Sequence, residues 1–264
     1  MNVTVLGSGT SSGVPVVGKH TPVNHSSDPR DKRLRSSIRV ETSGGGESII
    51  VDTGPDFRMQ ALNNRIDTVT NVLLTHPHYD HIGGLDDLRP LCFKQPDGIT
   101  CYSDEFTHDQ IIERFTYFHD DETYYGKPKI HFKLLPRDEQ GIFSGFSIGQ
   151  THVQPIKLLH IHEKPMYSVG YVFNHKLAYL TDFREIPGEY MSFLYNLEAV
   201  IVGAPLPKPH PNHLSIYEAV DLIKELKARQ GFITHLSDEK FHTELEDELP
   251  PNIRPAFDGM TLKI

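Results

Sequence analysis

Residues 76–81 read His76-Pro77-His78-Tyr79-Asp80-His81, which puts three imidazoles and a carboxylate into six positions. Imidazole and carboxylate are the donor set of hydrolytic metal sites. His76 and His78 share the two-residue period of extended chain and can point the same way. Asp80 and His81 follow where the chain turns and can aim at a neighbouring point. That geometry suits two adjacent ions better than one. The chain has 16 histidines, so some clustering arises by chance. A packed core, however, has little use for three histidines beside an Asp, since each buried ring needs its own hydrogen-bond partner.

The flanking sequence says how such a run would be held. Before it stands the apolar, β-favouring segment Asn71-Val72-Leu73-Leu74-Thr75, and after it Ile82-Gly83-Gly84-Leu85, a small-residue helix start. Three further apolar runs end on a residue of suitable chemistry: 155–159 before His160, 177–181 before Asp182, and 232–234 before His235. The wider pattern predicts strands at 2–6, 36–42, 47–52, 71–75, 99–102, 129–134, 142–147, 151–159, 167–173, 176–181, 198–203 and 231–235. A hairpin is expected around Gly44-Gly45-Gly46. Helices are expected at 56–64, 82–94, 104–118, 215–228 and 238–248. The clearest is 215–228, where Ser215 and Glu218 form a capping box and Ile216, Ala219, Val220, Ile223 and Leu226 make one apolar face.

The H-x-H-x-D-H run, with His160, Asp182 and His235 following in order, resembles the metallo-β-lactamase superfamily. The resemblance covers nearly the whole chain, including Leu6-Gly7-Ser8-Gly9-Thr10 and Asp52-Thr53-Gly54. Segments 27–37 and His213-Leu214-Ser215 look like the PhnP-like branch, whose characterised member is a cyclic phosphodiesterase. The resemblance implies one α/β hydrolase domain over residues 1–264, a four-layer αββα sandwich of two mixed sheets packed face to face with helices outside. It implies that His76, His78 and His160 hold one divalent ion, that Asp80, His81 and His235 hold a second, and that Asp182 bridges them. Zinc or manganese is expected, with iron or cobalt also compatible with these donors. A hydroxide bridging the ions would attack a small (cyclic) phosphate ester. Asp80 and His213 are the expected catalytic residues, His213 as a general acid near neutral pKa. Asp52 is expected to support a ligand from behind, and Arg35 and Ser37 to contact substrate phosphate. His210 reads as a solvated loop residue.

Related chains often carry a separate structural zinc. Its ligand positions align here with Lys19, Thr21, Asn24 and Asp238, none suited to replace them, so no structural zinc is expected. Two other enzyme readings share the ligand set: a tRNA-processing endonuclease of the RNase Z type, and an acyl hydrolase of the thioesterase or lactonase type. The first usually carries a basic, glycine-rich arm that this chain lacks. A binding module without activity is disfavoured by seven intact ligand positions.

Composition bounds the rest. At 264 residues, 38% hydrophobic and 23% charged, the chain can bury a sizeable core. A formal charge of −9 argues against broad nucleic-acid binding, so a small nucleotide is the largest such partner expected. Cys92 and Cys101 are too few for a disulfide framework. The start, Met1 to Leu6, reads as a strand rather than a leader, and no apolar run reaches membrane-spanning length, so a cytoplasmic enzyme is expected. Tyr117, Phe118, Tyr124 and Tyr125, within the stretch 104–150, suit a lid, a homodimer contact or plain core.

Overall fold

A computed structural model of the chain describes residues 1–42, 46–118, 126–161 and 166–264. In chain order the strands are β1 (Asn2–Gly7), β2 (Ser37–Glu41), β3 (Ser48–Val51), β4 (Asn71–Leu73), β5 (Ile99–Ser103), β6 (Ile130–Leu134) and β7 (Phe146–Ile148). There follow β8 (Thr151–Ile161), β9 (Met166–Phe173), β10 (Leu177–Leu180), β11 (Ala199–Gly203), β12 (Gln230–Thr234), β13 (Ile253–Pro255) and β14 (Thr261–Lys263). The helices are α1 (Phe57–Asn63), α2 (Tyr79–Ile82), α3 (Arg89–Cys92), α4 (Glu105–Arg114), α5 (Gly188–Met191), α6 (Ile216–Glu225) and α7 (His242–Glu248).

The described residues form two seven-stranded sheets, in the orders β14-β1-β2-β3-β4-β5-β6 and β13-β12-β11-β10-β9-β8-β7. Both are mixed: β1, β2 and β3 pair antiparallel while β3, β4, β5 and β6 run parallel, and β10, β11, β12 and β13 run parallel beside the antiparallel β7, β8 and β9. Strands buried on both faces need not alternate in polarity, and β10 (LAYL) and β11 (AVIVG) are apolar throughout. One core lies between the sheets, where Val3, Val40, Ile49, Val51 and Leu73 meet Ile156, Leu158, Val169 and Tyr171. A second fills the outer face of the first sheet, joining Leu6, Ile50, Val72 and Leu74 to Phe57, Leu88 and Ile111. On the opposite side Ile216, Ala219, Val220 and Ile223 of α6 pack toward β11 and β12, and the Ser215–Glu218 capping box is formed. The layers are therefore α, β, β, α.

Several elements depart from the sequence expectation. The helix expected at 82–94 is broken into α2, a 3-10 turn at Leu85–Leu88, and α3. Its interruption follows from Gly83-Gly84 and from Pro90, which cannot donate an N–H. Helix 104–118 likewise ends at Arg114 and continues as a 3-10 turn, Thr116–Phe118. The last helix begins at His242 rather than at 238, because Asp238 is engaged elsewhere and the His242 amide donates to Asp31 Oδ1 at 2.7 Å. Strands β13 and β14 are three residues each and carry too little pattern to foresee. β2 and β3 pair antiparallel, as the expected hairpin requires, although Gly44 and Gly45 lie outside the described residues. Phe118 stacks between Phe115 and Phe132 and Tyr117 donates to Asp86, so these aromatics pack as core; Tyr124 and Tyr125 also lie outside the described residues.

Candidate metal centre

Each sheet delivers part of the cluster. From the first sheet, the chain leaves β4 and reaches His76, His78, Asp80 and His81, while Asp52 follows β3 directly. From the second come Asp182 after β10 and His235 after β12. His160 differs from expectation. It does not end its strand but sits within β8 at a register shift, where Leu159 faces Tyr167 and Ile161 faces Met166. One extra residue there forms a bulge, which re-aims a side chain without ending the pairing.

The backbone is unusual at three of these positions. Asp52, Asp182 and His235 have φ of 65°, 57° and 61°, in the left-handed region that few side-chain-bearing residues adopt. Such conformations persist where the surroundings over-determine them. Close approach at the loop after β3 supplies one such constraint. A Cβ on Gly54 would lie 2.0 Å from the Asp80 carbonyl oxygen, and one on Gly84 2.1 Å from that of Gly54. The glycines let the Asp52 loop lie against the His-Asp loop, and Thr53 N donates to His81 O at 2.9 Å. The sheets are tied beneath the cluster by Val169 N donating to Thr75 O at 2.8 Å and by the Tyr171 hydroxyl donating to Leu74 O.

The side chains converge. His76 Nε2 and His78 Nδ1 are 2.9 Å apart, and His160 completes a set whose donor atoms lie within 4.8 Å of one another. His81 Nε2 stands 3.0 Å from Asp80 Oδ2 and 3.3 Å from Asp182 Oδ2. The other oxygen of Asp182 faces His235 Nε2 at 3.2 Å and His213 Nδ1 at 3.8 Å. Asp182 thus belongs to sets on both sides, with His76 and His81 in one and with His160 and His213 in another.

The backs of four rings, those of His76, His81, His160 and His235, have partners. His81 Nδ1 lies 2.6 Å from Asp52 Oδ2, and Asp52 also accepts from Thr75 N and Thr75 Oγ1, both at 2.8 Å. Thr75 Oγ1 is 2.9 Å from His76 Nδ1. His160 Nδ1 donates to the Asn212 carbonyl at 3.2 Å, and Ser36 Oγ lies 3.1 Å from His235 Nδ1. The front nitrogens point into the cluster, and His81 Nε2 and His213 Nδ1, both buried, make no hydrogen bond. Backs bonded and fronts converging is how metal-bound imidazoles are oriented. These His/Asp clusters can hold metal.

The electrostatics agree. Burial holds His76, His78 and His160 below the ordinary imidazole value, so they are neutral, the form that ligates. Burial disfavours charge on His81 as well, but Asp80, Asp52 and Asp182 outweigh it and raise His81 well above the usual range. Burial opposes ionisation of Asp80 and Asp182, yet the facing histidines hold both carboxyls below theirs. The carboxylates therefore create a strongly negative field around buried nitrogen donors, which favours a cation.

His213 corrects one expectation. Burial lowers its pKa to about 3, so at neutral pH its ring is an uncharged hydrogen-bonding group, not a general acid titrating near 7. Ser37 does not face the cluster: it is fully buried and donates to Asp52 O at 2.9 Å. Arg35 is engaged by Asp56, with Nη1 3.0 Å from Oδ1 and 3.1 Å from Oδ2. Its guanidinium is spent on an ion pair rather than left for phosphate. Sequence reasoning missed Ser36 and Thr75. Thr75 had a signal, since it precedes His76 and lies at the strand end beside Asp52. Ser36 had none apart from its place beside Ser37.

A family model described as the beta-lactamase superfamily domain matches residues 47–236. The chain belongs to that superfamily. Within it the chain is PhnP-like: the crystal structure of a new diphosphatase from the PhnP family superposes with a TM-score of 0.88 at 34% identity, covering 99% of this chain and 96% of that one. This superfamily member is also 36% identical over 263 residues to an octanoyltransferase of Porphyromonas gingivalis, covering 98% of this chain. It spans about half (51%) of that relative's length. Ribonuclease Z of Staphylococcus aureus is 22% identical over 330 residues, covering all of both chains. The chain is thus a hydrolase of the metallo-β-lactamase fold with His/Asp metal-binding clusters. Among the described residues no helix is long and apolar enough to cross a membrane.

Proposed function

We propose that the chain is a phosphodiesterase dependent on two divalent ions and acting on a small, cyclic or open, phosphate ester. His76, His78 and His160 would hold one ion, Asp80, His81 and His235 the other, with Asp182 shared. The observation that carries this reading is Asp182, which lies in one donor set with His81, a ligand of the second ion, and in another with His160, a ligand of the first. When bound, two such ions acidify a shared water and neutralise the oxygens of an in-line displacement. The donors are histidine and carboxylate without thiolate, which fits zinc or manganese.

The protein's own residues do the rest. Asp52 and Thr75 hold His81 and His76 in one orientation, and the Asn212 carbonyl does the same for His160. Asp80 adds negative charge beside His81 and orients the attacking water. His213, neutral and unpaired at Nδ1, offers the substrate or its leaving oxygen a hydrogen bond. The neighbour described as a diphosphatase supports phosphate chemistry over carbonyl chemistry. A second reading, an acyl hydrolase, has one observation in its favour, the octanoyltransferase relative. Nearly half of that protein has no counterpart here, so its named activity need not reside in the shared part. An RNase Z-type activity has support from relatives at 22% identity and from a solved tRNase Z at 20%, and the net charge of −9 opposes it.

The test is hydrolysis by metal-loaded protein of bis-p-nitrophenyl phosphate, 2′,3′-cyclic AMP, an octanoyl thioester, a lactone and a precursor tRNA. Turnover of the first two, lost with metal in His76→Ala, is expected. Turnover confined to the thioester or lactone would replace the reading with the acyl one.

A further inference from the structure

His213 lies in a segment that can do little to hold itself. Pro205, Pro207, Pro209 and Pro211 lead up to it, and each removes a backbone donor. Its position is set from outside. Asn212 O accepts from His160 Nδ1 at 3.2 Å, and Leu214 N donates to Phe183 O at 3.2 Å. Between these two anchors stands the carbonyl of His213 itself, 3.3 Å from Nη1 of Arg184.

Arg184 has three attachments that meet at this point. Its Nη2 lies 2.6 Å from Glu218 Oε1. Glu218 is also the third residue of α6, whose Oε2 accepts from Ser215 N at 2.8 Å. The Arg184 amide donates to Leu159 O at 2.7 Å, the residue before His160. One residue thus joins the strand carrying His160, the strand end carrying Asp182 and the start of α6, with the His213 carbonyl on one arm of its guanidinium and Glu218 on the other. An arginine suits this task because its planar fork serves two acceptors at once with its own geometry pre-set.

We propose that Arg184 is a positioning residue for His213: by fastening the His213 carbonyl to the cap of α6 it fixes the imidazole over Asp182 and tunes the site for esters with a poor leaving group. The inference rests on the reading of His213 as a hydrogen-bond donor. A simple surface ion pair supporting α6 would instead affect stability alone. The proposal concerns only how His213 is held, so Arg184 variants keep their metal.

The test uses the full chain with Arg184→Met, Arg184→Lys and His213→Ala. Amide hydrogen exchange, measured with and without added zinc, should show the Leu214 amide exchanging about tenfold faster in Arg184→Met, while amides of β10 keep their protection. Elemental analysis should give wild-type metal content. With metal, kcat for 2′,3′-cyclic AMP relative to bis-p-nitrophenyl phosphate should fall on the order of tenfold in Arg184→Met, since a misplaced group costs most where it is needed. His213→Ala should lower the same ratio further. Arg184→Lys should recover part of both effects, because one ammonium reaches one acceptor at a time. Unchanged Leu214 exchange, or lost metal, overturns the proposal. A ratio lowered by His213→Ala but untouched by Arg184→Met overturns it while sparing His213. A ratio untouched by His213→Ala removes both.

Discussion

His235 and Asp238 both follow β12, three residues apart, yet they belong to regions built on opposite terms. Around His235 the donors come from both sheets, and the buried Nε2 of His81 and Nδ1 of His213 make no hydrogen bond. Around Asp238 the protein supplies every partner. Lys19 Nζ lies 2.6 Å from Oδ1, Thr21 Oγ1 donates to Oδ2 at 2.7 Å, and Asn24 Nδ2 donates to Lys19 O at 2.8 Å. These are the four positions expected to align with the structural zinc ligands of related chains, and they do meet. They meet as a clasp, in which the Lys19 ammonium provides the positive charge. The difference teaches how to tell a binding site from a structural contact: burial and charge occur in both, but of the two only the first leaves donor atoms aimed at one another and unsatisfied.

The sharpest way to break this comparison is Asp182→Ala. The shared carboxylate is removed, and two sets of donors lose their common member. Metal content should fall at both positions and hydrolysis should drop to background, because the remaining cations would face each other with less compensation. Elemental analysis alongside turnover checks it. A variant that kept two ions and wild-type turnover would show that Asp182 does not lie between them.

A smaller effect is expected from Asp52→Asn. Its carboxylate touches no neighbouring front nitrogen and acts on His81 from behind at 2.6 Å. Loss of such support typically costs 10- to 100-fold in metal affinity, so about that weakening is expected by competition with a chelator. Turnover at saturating metal should suffer less than affinity. Affinity equal to wild type would mean that Thr75 alone orients the rings.

Much of this was legible in the sequence because metal chemistry constrains residue types and their spacing. The six-residue run and the residues His160, Asp182 and His235 stand out against apolar strands, and strands buried on both faces announce themselves as apolar runs. Lys19, Thr21, Asn24 and Asp238 were readable as one set for the same reason, though not how they pair. What stayed hidden depends on tertiary geometry. The bulge at His160 is one residue of pairing mismatch with no composition signal. The burial that lowers the His213 pKa is made by elements from across the chain. Ser37 and Arg35 look like phosphate ligands in isolation, yet Ser37 faces inward and Arg35 has Asp56 as a partner. The break in the helix after His81 falls at Gly84, whose close approach to Gly54 exists only in the fold.

The smallest expected effect sharpens the other side of the comparison. Lys19→Met should cost about 1 kcal/mol in denaturant unfolding, the usual scale for a lost hydrogen bond. The value is modest because the lysine side chain is about half exposed (49%), although Asp238 is buried. The loss should depend on pH in a defined direction. Burial alone would raise the Asp238 pKa, but Lys19 and Thr21 outweigh it and the folded-state value is lowered. A carboxyl depressed on folding contributes stability that is fully present above its unfolded value and is lost as pH falls through the folded one. Wild type and Lys19→Met should therefore differ most above the ordinary carboxylate range and converge as the solution is acidified below it. Metal content and turnover should not change, since the clasp shares no residue with the cluster at His235. A clasp variant that lost metal from that cluster, or whose deficit grew in acid, would show that the two regions are not separate.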